Sequence, residues 1–350
     1  MQLGIIGAGS WGSALAIAGS YIATNVTLFA RNNHQVLAIN QTRSNLHYLE
    51  KHILFSQNVR ATNTLSDIIS SDIIIIATPV AGFRDALIEL KKLILQSNKM
   101  HFMLLWVCKG FELNTGLLPS QIFNTIFNID KQTNYLSDTQ IKIQIGALLG
   151  PSFAAEVARG LPTAMSMASD DESFAIFIAN KFSKIPNFRV YANNDLTGAE
   201  ISAGVKNIIA IAVGISDGLS LGYNARAALI TRSLNELSKL ITKMHGKITS
   251  LYGLGGIGDL ILTSTGDLSR NRQVGIKLAS GMQIDDILTD LSHVAEGVYA
   301  SREVYKLGQI YQIDLPIINA VYNIIYCKAN IQQIIADLFN RDAKLEFLSS

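Results

Sequence analysis

Apolar residues recur at helical intervals in the stretch from Thr197 to Arg232, and this stretch is the clearest pattern in the second half of the chain. Thr197 and Glu200 have the spacing of a capping box, which predicts that a helix starts at this point. Apolar positions between Ile201 and Ile215 then fall on one face, as in a helix that packs against a core. Lys206 lies beside that face, and most of its neighbours three and four residues away are small.

The pattern leaves two interpretations of Lys206 open. In the first, the ammonium reaches solvent from a half-buried helix, as lysines usually do. In the second, the ammonium is held in a cleft, where partial desolvation lowers its pKa enough for proton exchange near neutral pH.

In the first half of the chain, short apolar runs alternate with helical segments, which predicts an α/β fold with a doubly wound sheet. The expected strands are Leu3 to Ile6, Val26 to Ala30, Asp72 to Ala77, Phe102 to Cys108, Ile141 to Leu149, Ala164 to Ala168 and Phe188 to Tyr191. Beyond Ala192 the segments become helical. We therefore predict an N-terminal Rossmann-type dinucleotide-binding domain over residues 1–192, followed by an all-α substrate-binding and catalytic domain over residues 193–350.

Further helices are expected along the second domain. Their predicted ranges are Ala225–Met244, Asp259–Leu262, Arg272–Ala279, Ile284–Leu291, Ala300–Leu307 and Leu315–Tyr326. Glycines predict a turn over Asp217 to Tyr223 and a flexible loop over Gly253 to Asp259.

A glycine-rich turn follows the first predicted strand and opens the first predicted helix. Gly7 permits the tight turn, Gly9 lets a pyrophosphate approach the backbone, and Gly12 lets the helix pack closely on the strand. Because helix N-termini favour anions, the sequence predicts dinucleotide binding here.

Arg31 ends the second predicted strand, where an NAD-specific site usually carries Asp or Glu. A guanidinium in this place would face a 2′-phosphate, so we expect NADP(H) to be accepted alongside or instead of NAD(H). The alternative is an ordinary surface arginine.

Two further groups of polar residues are candidates for ligand binding. Lys109 follows the strand that ends at Cys108, and ligands of open α/β sheets bind beyond the carboxyl ends of the strands. The run Ser269–Arg272 places two guanidinium groups beside a hydroxyl and an amide, a combination suited to an anion. Both groups are equally compatible with solvated turns.

Composition narrows the classes of partner. Of 350 residues, 49% are hydrophobic and 16% are charged, and the net charge of +2 is too small to imply nucleic acid or a membrane surface. The apolar runs are interrupted by Lys109, Lys206 or Asp217, so we expect no integral membrane segment. Two cysteines at unrelated positions predict neither a disulfide framework nor a metal site, and they favour a cytoplasmic location.

Taken together, these segments resemble the bacterial NAD(P)-dependent glycerol-3-phosphate dehydrogenases over nearly the whole chain. The matching blocks are GAGSWG at 7–12, CKGFE at 108–112, GPSFAAEVARGLPTA at 150–164, GVKNIIAIAVGISDG at 204–218, NARAALITR at 224–232, GIGDLILT at 256–263, SRNR at 269–272 and VAEG at 294–297. Eight blocks in the family order are far more specific than one glycine motif.

The resemblance implies reversible reduction of dihydroxyacetone phosphate to glycerol 3-phosphate, a supply for phospholipid synthesis, with Lys206 as the catalytic proton carrier. The substrate contacts that it implies are Lys109, Gly150, Ser152, Lys206, Asp259, Ser269, Arg270 and Asn271. The cofactor contacts, with the glycine turn, are Gly7, Gly9, Ser10, Trp11, Gly12, Arg31, Tyr48, Lys109, Ala154, Arg270, Val294 and Glu296. Tyr48 lies in a segment where Glu50 replaces the family's proline. A homodimer is a further expectation.

Two other hypotheses compete with this one. The chain could be a 3-hydroxyacid dehydrogenase of similar architecture, in which the Ser269–Arg272 run binds a carboxylate. It could also be a non-catalytic nucleotide sensor, although a sensor has no need of a proton donor such as Lys206.

Overall fold

The computed structural model describes residues 1–129, 133–137, 139–290 and 295–340, and its first half is built on one sheet. The strands are β1 (Gln2–Ile6), β2 (Asn25–Phe29), β3 (Val59–Thr62), β4 (Ile73–Ile76), β5 (His101–Trp106), β6 (Lys142–Leu149), β7 (Thr163–Ala168) and β8 (Phe188–Asn193). They lie in the order β3-β2-β1-β4-β5-β6-β7-β8. All neighbours are parallel except β6 and β7, which are antiparallel.

This strand order creates a crevice beyond the carboxyl ends of β1 and β4. From β1 the chain proceeds outwards through β2 and β3, then returns to place β4 on the other side of β1. Ligands of doubly wound sheets bind at such a reversal. β4 is four isoleucines, all buried, which is typical of a central parallel strand covered on both faces.

Helices cover the sheet, and after β8 they are the regular elements of the described residues. The first group comprises α1 (Ser10–Gly19), α2 (Asn33–Thr42), α3 (Phe83–Gln96), α4 (Pro119–Phe127), α5 (Ala154–Ala158) and α6 (Glu172–Phe182). The second group comprises α7 (Leu196–Gly218), α8 (Gly222–Lys243), α9 (Asp259–Thr265), α10 (Arg270–Ala279), α11 (Ile284–Asp290), α12 (Glu296–Ile310), α13 (Pro316–Tyr326) and α14 (Ile331–Phe339). The predicted architecture, a Rossmann-type sheet followed by a helical part, is therefore confirmed.

α7 lies at the centre of the helical part, and nearly every one of its residues is buried. Its length and composition would suffice to cross a membrane, but its apolar window is 100% buried within the fold. The helix is apolar on all sides because it is surrounded by other elements, as expected for a core helix.

The predicted capping box at the start of α7 is wrong. The helix begins at Leu196, and the side chain of Asp195 accepts a hydrogen bond of 3.0 Å from the backbone N–H of Gly198. Glu200 is instead bound to residues of β5 and α4, far away in the sequence. Local spacing suggested a cap because the tertiary partners of Glu200 are invisible in the local pattern.

Other boundaries differ from the predictions for similar reasons. α7 continues to Gly218 and α8 begins at Gly222, so the turn expected from Asp217 is short. The loop expected to begin at Gly253 contains a helical turn, Leu254–Gly258, that leads into α9. β3, α2, α4, α6 and α14 were not predicted, and Leu291, the expected end of α11, lies outside the described residues.

α7 and α10 cross at unusually close range because glycines meet at the crossing. A Cβ added to Gly214 would lie 2.1 Å from the carbonyl oxygen of Arg272, and one added to Gly275 would lie 2.1 Å from that of Ile211. Any larger side chain would push the helices apart. The crossing therefore fixes the N-terminal end of α10 relative to α7.

Candidate active site

The turn between β1 and α1 has the backbone geometry that its glycines predict. Gly7 has a φ of +110°, which other residues rarely adopt. A Cβ on Gly12 would lie 1.9 Å from the carbonyl oxygen of Gly7, so this glycine is required for the helix to approach the strand. At Gly9, by contrast, no described atom lies within 4 Å of an added Cβ.

These features fit the phosphates of a dinucleotide. Gly9 is the N-cap of α1 and provides no side-chain cap, so the first N–H groups of the helix remain available for an anion. Trp11, in the first turn, has a buried Nε1 with no hydrogen-bond partner among the described residues. Ser10 begins the same helix, and Ala154 begins α5, which packs against α1.

Asn45 fixes the glycine turn from the loop after α2, and its role was not predicted. Its Nδ2 donates to the carbonyl oxygen of Ala8 at 2.9 Å and to the hydroxyl of Ser13 at 2.8 Å. Tyr48 follows one helical turn later, because its backbone N–H donates to the carbonyl oxygen of Asn45 at 2.9 Å. Glu50, in place of the family's proline, is exposed and lies 3.4 Å from His52.

Arg31 is exposed and lies just beyond the end of β2. β1 and β2 are parallel and Ile6 pairs with Phe29, so Arg31 and Gly7 leave the sheet at the same edge. This is the edge where the adenosine of a bound dinucleotide would lie.

The carboxylate of Asp259 brings two lysines together in the interior. Lys206 of α7 donates to Asp259 Oδ1 and, at 2.9 Å, to the hydroxyl of Thr263. Lys109, beyond β5, donates to Asp259 Oδ2 at 2.8 Å and to the carbonyl oxygen of Gly150 at 3.0 Å. Thr263 was not singled out in the sequence, although it lies one helical turn after Asp259 and so faces the same way.

Lys206 does not reach solvent, since only 5% of the residue is exposed. Burial is the largest cause that lowers the pKa of Lys206, which falls to about 7. The charge of Asp259 opposes this change and the charge of Lys109 reinforces it. Near neutral pH the ammonium form can therefore give up a proton and the amine form can take one up, which is the behaviour of a general acid or base.

Gly150 and Ser152 form the turn after β6. Gly150 has a φ of +139°, and the hydroxyl of Ser152 donates to the carbonyl oxygen of Gly150 at 3.0 Å. That carbonyl is also the acceptor for Lys109. The turn thus holds the second lysine at the carboxyl edge of the sheet.

The Ser269–Arg272 run forms the start of α10, which begins at Arg270 and not at the predicted Arg272. The hydroxyl of Ser269 caps the helix by accepting from the backbone N–H of Arg272 at 3.3 Å. Only one of its two arginines is open to a ligand. The guanidinium of Arg272 is bound to Asp217 and Asp267, whereas Arg270 is exposed.

Asn271 links α10 to its neighbours. Its Nδ2 donates to Asn207 Oδ1 at 3.0 Å, and its Oδ1 accepts from the backbone N–H of Gly297 at 3.0 Å. Asn207 is adjacent to Lys206 on α7, so Asn271 joins the proposed anion end of the site to the lysine end.

Glu296 lies within electrostatic reach of three cations of the site. Burial raises the pKa of Glu296, and the charges of Arg270, Lys109 and Lys206 each act to lower it. The structure therefore gathers residues from both halves of the chain around the carboxyl groups of Asp259 and Glu296. Val294, another predicted cofactor contact, lies outside the described residues.

Comparison with known proteins accounts for this arrangement. The family model for the N-terminus of NAD-dependent glycerol-3-phosphate dehydrogenase matches residues 2–175, and the model for its C-terminus matches residues 195–336. The chain belongs to this family. It is 41% identical over 349 residues to glycerol-3-phosphate dehydrogenase (NAD(P)+) of Nitrosomonas eutropha, with 99% of each chain covered.

Other members of the glycerol-3-phosphate dehydrogenase family are similar over the same extent. The enzyme of Polynucleobacter asymbioticus is 40% identical, with 99% of this chain and 100% of the relative covered. The crystal structure of glycerol-3-phosphate dehydrogenase from Coxiella burnetii superposes with a TM-score of 0.86 at 34% identity, covering 97% of this chain and 99% of that one. The family resemblance read from the eight sequence blocks is therefore confirmed.

Proposed function

We propose that this chain catalyses the NAD(P)H-dependent, reversible reduction of dihydroxyacetone phosphate to sn-glycerol 3-phosphate. The observation that carries the proposal is the pair of lysines, one buried and one partly buried, on the buried carboxylate of Asp259, in a chain of the glycerol-3-phosphate dehydrogenase family. Such a pair supplies a proton donor and positive charge at one point, which reduction of a ketone requires.

The glycine turn and its surroundings would hold the dinucleotide. The chemistry that bound NAD(P)H supplies is transfer of a hydride to C2 of the ketone. The residues that we propose to hold it are Gly7, Gly9, Ser10, Trp11, Gly12, Arg31, Tyr48, Lys109, Ala154, Arg270, Val294 and Glu296. Arg31 supports use of NADP(H) as well as NAD(H), because an exposed guanidinium can pair with a 2′-phosphate.

Arg270 would bind the substrate phosphate from the start of α10. It is exposed, stands at the N-terminal end of α10 and is the arginine of the run that no carboxylate of the described residues neutralises by a salt bridge. Asn271 Nδ2 has a second N–H beyond the one given to Asn207, which is available to a phosphate oxygen. Binding the phosphate at a distance from C2 fixes the reacting carbon.

Lys206 would give the proton to the ketone oxygen as the hydride arrives. Its lowered pKa makes the transfer easier than for an ordinary lysine, and Thr263 and Asp259 hold the amine in place. Lys109 would stabilise the negative charge that develops on the same oxygen. Gly150, Ser152, Asp259 and Ser269 complete the proposed substrate site by positioning these groups.

The direct test is turnover of NADPH with dihydroxyacetone phosphate by the purified chain. Arg270→Met should lower kcat/KM for this substrate by about 30- to 150-fold, since it removes a charge-assisted contact of about 2–3 kcal/mol. The loss should be much smaller for unphosphorylated dihydroxyacetone. Arg60→Met removes an exposed arginine from β3 and serves as the matched control.

Absence of turnover by the wild-type chain would contradict the proposal. If Arg270→Met lowered kcat/KM equally for both ketones, Arg270 would not act by binding the phosphate. The 3-hydroxyacid dehydrogenase hypothesis predicts turnover of a hydroxy acid instead. The sensor hypothesis predicts cofactor binding without turnover. Both lysines and the eight matching family blocks favour the dehydrogenase.

Several broader predictions accompany this function. We propose a cytoplasmic location, a homodimer and a role in phospholipid synthesis. We also propose a domain boundary near Ala192, between residues 1–192 and 193–350. The boundary is supported by the end of β8 at Asn193 and the start of α7 at Leu196, and by the two family matches, which end at 175 and resume at 195.

A further inference from the structure

Glu200 occupies a buried polar node that the proposed mechanism does not use. Only 2% of the residue is exposed. Its Oε1 accepts hydrogen bonds from Trp106 Nε1 at 2.8 Å and from the backbone N–H of Ser120 at 3.0 Å, and its Oε2 bonds to the hydroxyl of Ser120. Burying a carboxyl group is costly unless it is hydrogen-bonded, and three specific partners satisfy this one.

The node joins the two elements that carry the paired lysines. Trp106 is the last residue of β5, and Lys109 follows three residues later. Glu200 lies on α7, six residues before Lys206. Three residues span at most about 10 Å and six helical residues advance about 9 Å, so the two segments can cover the same distance.

The segments are therefore joined at both ends. At one end Trp106 binds Glu200, and at the other end Lys109 and Lys206 share the carboxylate of Asp259. At the lysine end the two backbones approach closely, because a Cβ added to Gly204 would lie 3.1 Å from the Cα of Gly110, the residue after Lys109. A helix so closely packed can still slide or rotate unless a directional bond fixes it.

We infer that Glu200 is a positioning residue, which fixes the register of α7 against β5 so that Lys206 and Lys109 reach the same carboxylate. The inference rests on the proposed function, in which both lysines act on one ketone oxygen. Cys108, which lies between Trp106 and Lys109, supports this closeness, because the charges of Glu296 and Glu200, after burial, raise the pKa of its thiol.

The test compares Glu200→Met with Glu200→Gln. Methionine has a similar volume and no hydrogen bond, so we expect kcat for dihydroxyacetone phosphate to fall by about 10- to 100-fold, as misplacement of a reacting group by about 1 Å does. The Kd for NADPH, measured by fluorescence, should stay within about twofold. Glutamine can accept from Trp106 and from the Ser120 backbone while donating to the Ser120 hydroxyl, so it should restore most of the loss.

The pH profile separates positioning from plain destabilisation. The charged groups that face Lys206 are Asp259 of α9, Lys109 beyond β5 and Glu296 of α12. When the register is lost, Lys206 loses the charge of Asp259 that raises its pKa. The fall of kcat on the alkaline side of the pH profile should therefore move to lower pH in Glu200→Met. In Glu200→Gln it should keep the wild-type position.

Two further variants make the result decisive. Trp106→Phe removes the indole N–H but keeps an aromatic ring beside Phe83 and Phe123, and it should reproduce the fall in kcat if Glu200→Met does not fold. Glu236→Met removes another buried carboxylate, which is on α8, and should lower the melting temperature without changing the pH profile. An unchanged kcat and an unchanged pH profile in both Glu200→Met and Trp106→Phe would overturn the inference, while inactivity of the wild-type chain would instead overturn the proposed function.

Discussion

Lys206 shows how burial changes the chemistry of one side chain. A lysine with the same neighbours in sequence on an exposed helix would carry a permanent charge. Here α7 is enclosed, and the pKa of Lys206 is lowered to about 7, with burial as the largest cause. Asp259 limits this change, so the charged and the neutral forms of the residue are both accessible near neutral pH.

Lys206→Met should abolish most of the activity and leave the fold intact. The variant removes the proton donor and also the cost of burying an ammonium, while Asp259 keeps Lys109 as its partner. We expect kcat to fall by about 100-fold or more. NADPH affinity should remain, because the glycine turn lies in the other half of the chain. Lys92→Met, at an exposed position of α3, is the control. Nearly full turnover by Lys206→Met would show that another group donates the proton.

The pH dependence of the wild type should differ between the two directions of the reaction. Ketone reduction needs the ammonium, so its kcat should decline as pH rises through about 7. Alcohol oxidation needs the neutral amine, so its kcat should rise over the same interval. Steady-state rates at saturating substrate in both directions measure this, and parallel profiles in the two directions would argue against Lys206 as the titrating group.

Arg31→Asp should shift the cofactor preference from NADPH towards NADH. An exposed guanidinium after β2 can pair with a 2′-phosphate, while a carboxylate there repels the phosphate and accepts bonds from ribose hydroxyls. The Kd for NADPH should rise by about tenfold or more, with that for NADH unchanged or lower. Fluorescence titration with both cofactors measures the two values. Equal losses for both would indicate that Arg31 acts through the fold.

At the scale of the elements, periodicity predicted most helices and strands, and it was wrong where a short segment depends on distant partners. The sequence predicted the apolar face of α7 but not the residue at which the helix begins. The predicted cap relied on Glu200, which bonds to Trp106 and Ser120 and not to the helix start. β3 has only four residues and becomes a strand by pairing with β2. Such an edge strand has too little periodicity of its own to be recognised.

Gly9 and Gly12 should respond in opposite ways to alanine. Gly9 has ordinary backbone angles and open space at its Cβ, so Gly9→Ala should keep the melting temperature and weaken NADPH binding by about tenfold or more, because the methyl group occupies the place of a phosphate. Gly12→Ala should lower the melting temperature by several degrees, since its Cβ meets the carbonyl oxygen of Gly7. Thermal unfolding without cofactor, together with a binding titration, separates the two effects. A normal melting temperature for Gly12→Ala would contradict this account.

At the scale of the whole molecule, the candidate site is assembled from residues that no local pattern connects. Lys109 and Asp259 are 150 positions apart, and their contact depends on the packing of α9 on α7 and of α7 on β6. The family resemblance supplied these residues as a set. Their geometry, the engagement of Arg272 by Asp217, and the roles of Thr263 and Asn45 required the structure.

Glu236 should contribute a stabilisation of the fold that falls as pH rises from about 4.5 to 7. Its carboxylate is buried and accepts from the backbone N–H groups of Ile317 and Ile318, and burial raises its pKa to about 7. A raised folded-state pKa means that the folded chain binds the proton more tightly, so the stabilisation is complete at low pH and is lost as pH rises through about 7. Glu200, with a pKa of about 8, contributes in the same direction.

Glu236→Gln should flatten this dependence, because an amide does not titrate. We expect the difference in free energy of unfolding between wild type and variant to change by about 1–3 kcal/mol between pH 4.5 and 7. Urea unfolding at several pH values measures it. Parallel curves for the two proteins would show that Glu236 keeps the same protonation state in the folded and unfolded chain.

α7 has one more consequence, for attempts to divide the protein. Leu196, Ala199 and Ala203 on this helix are buried with the β-strands, while Ile201 and Val205 are buried with the other helices. A gene fragment that stops at β8 would uncover an apolar surface on the sheet, and the remaining fragment would lose the surface that receives the start of α7. The complete chain should therefore melt in one cooperative step, and either fragment expressed alone should aggregate.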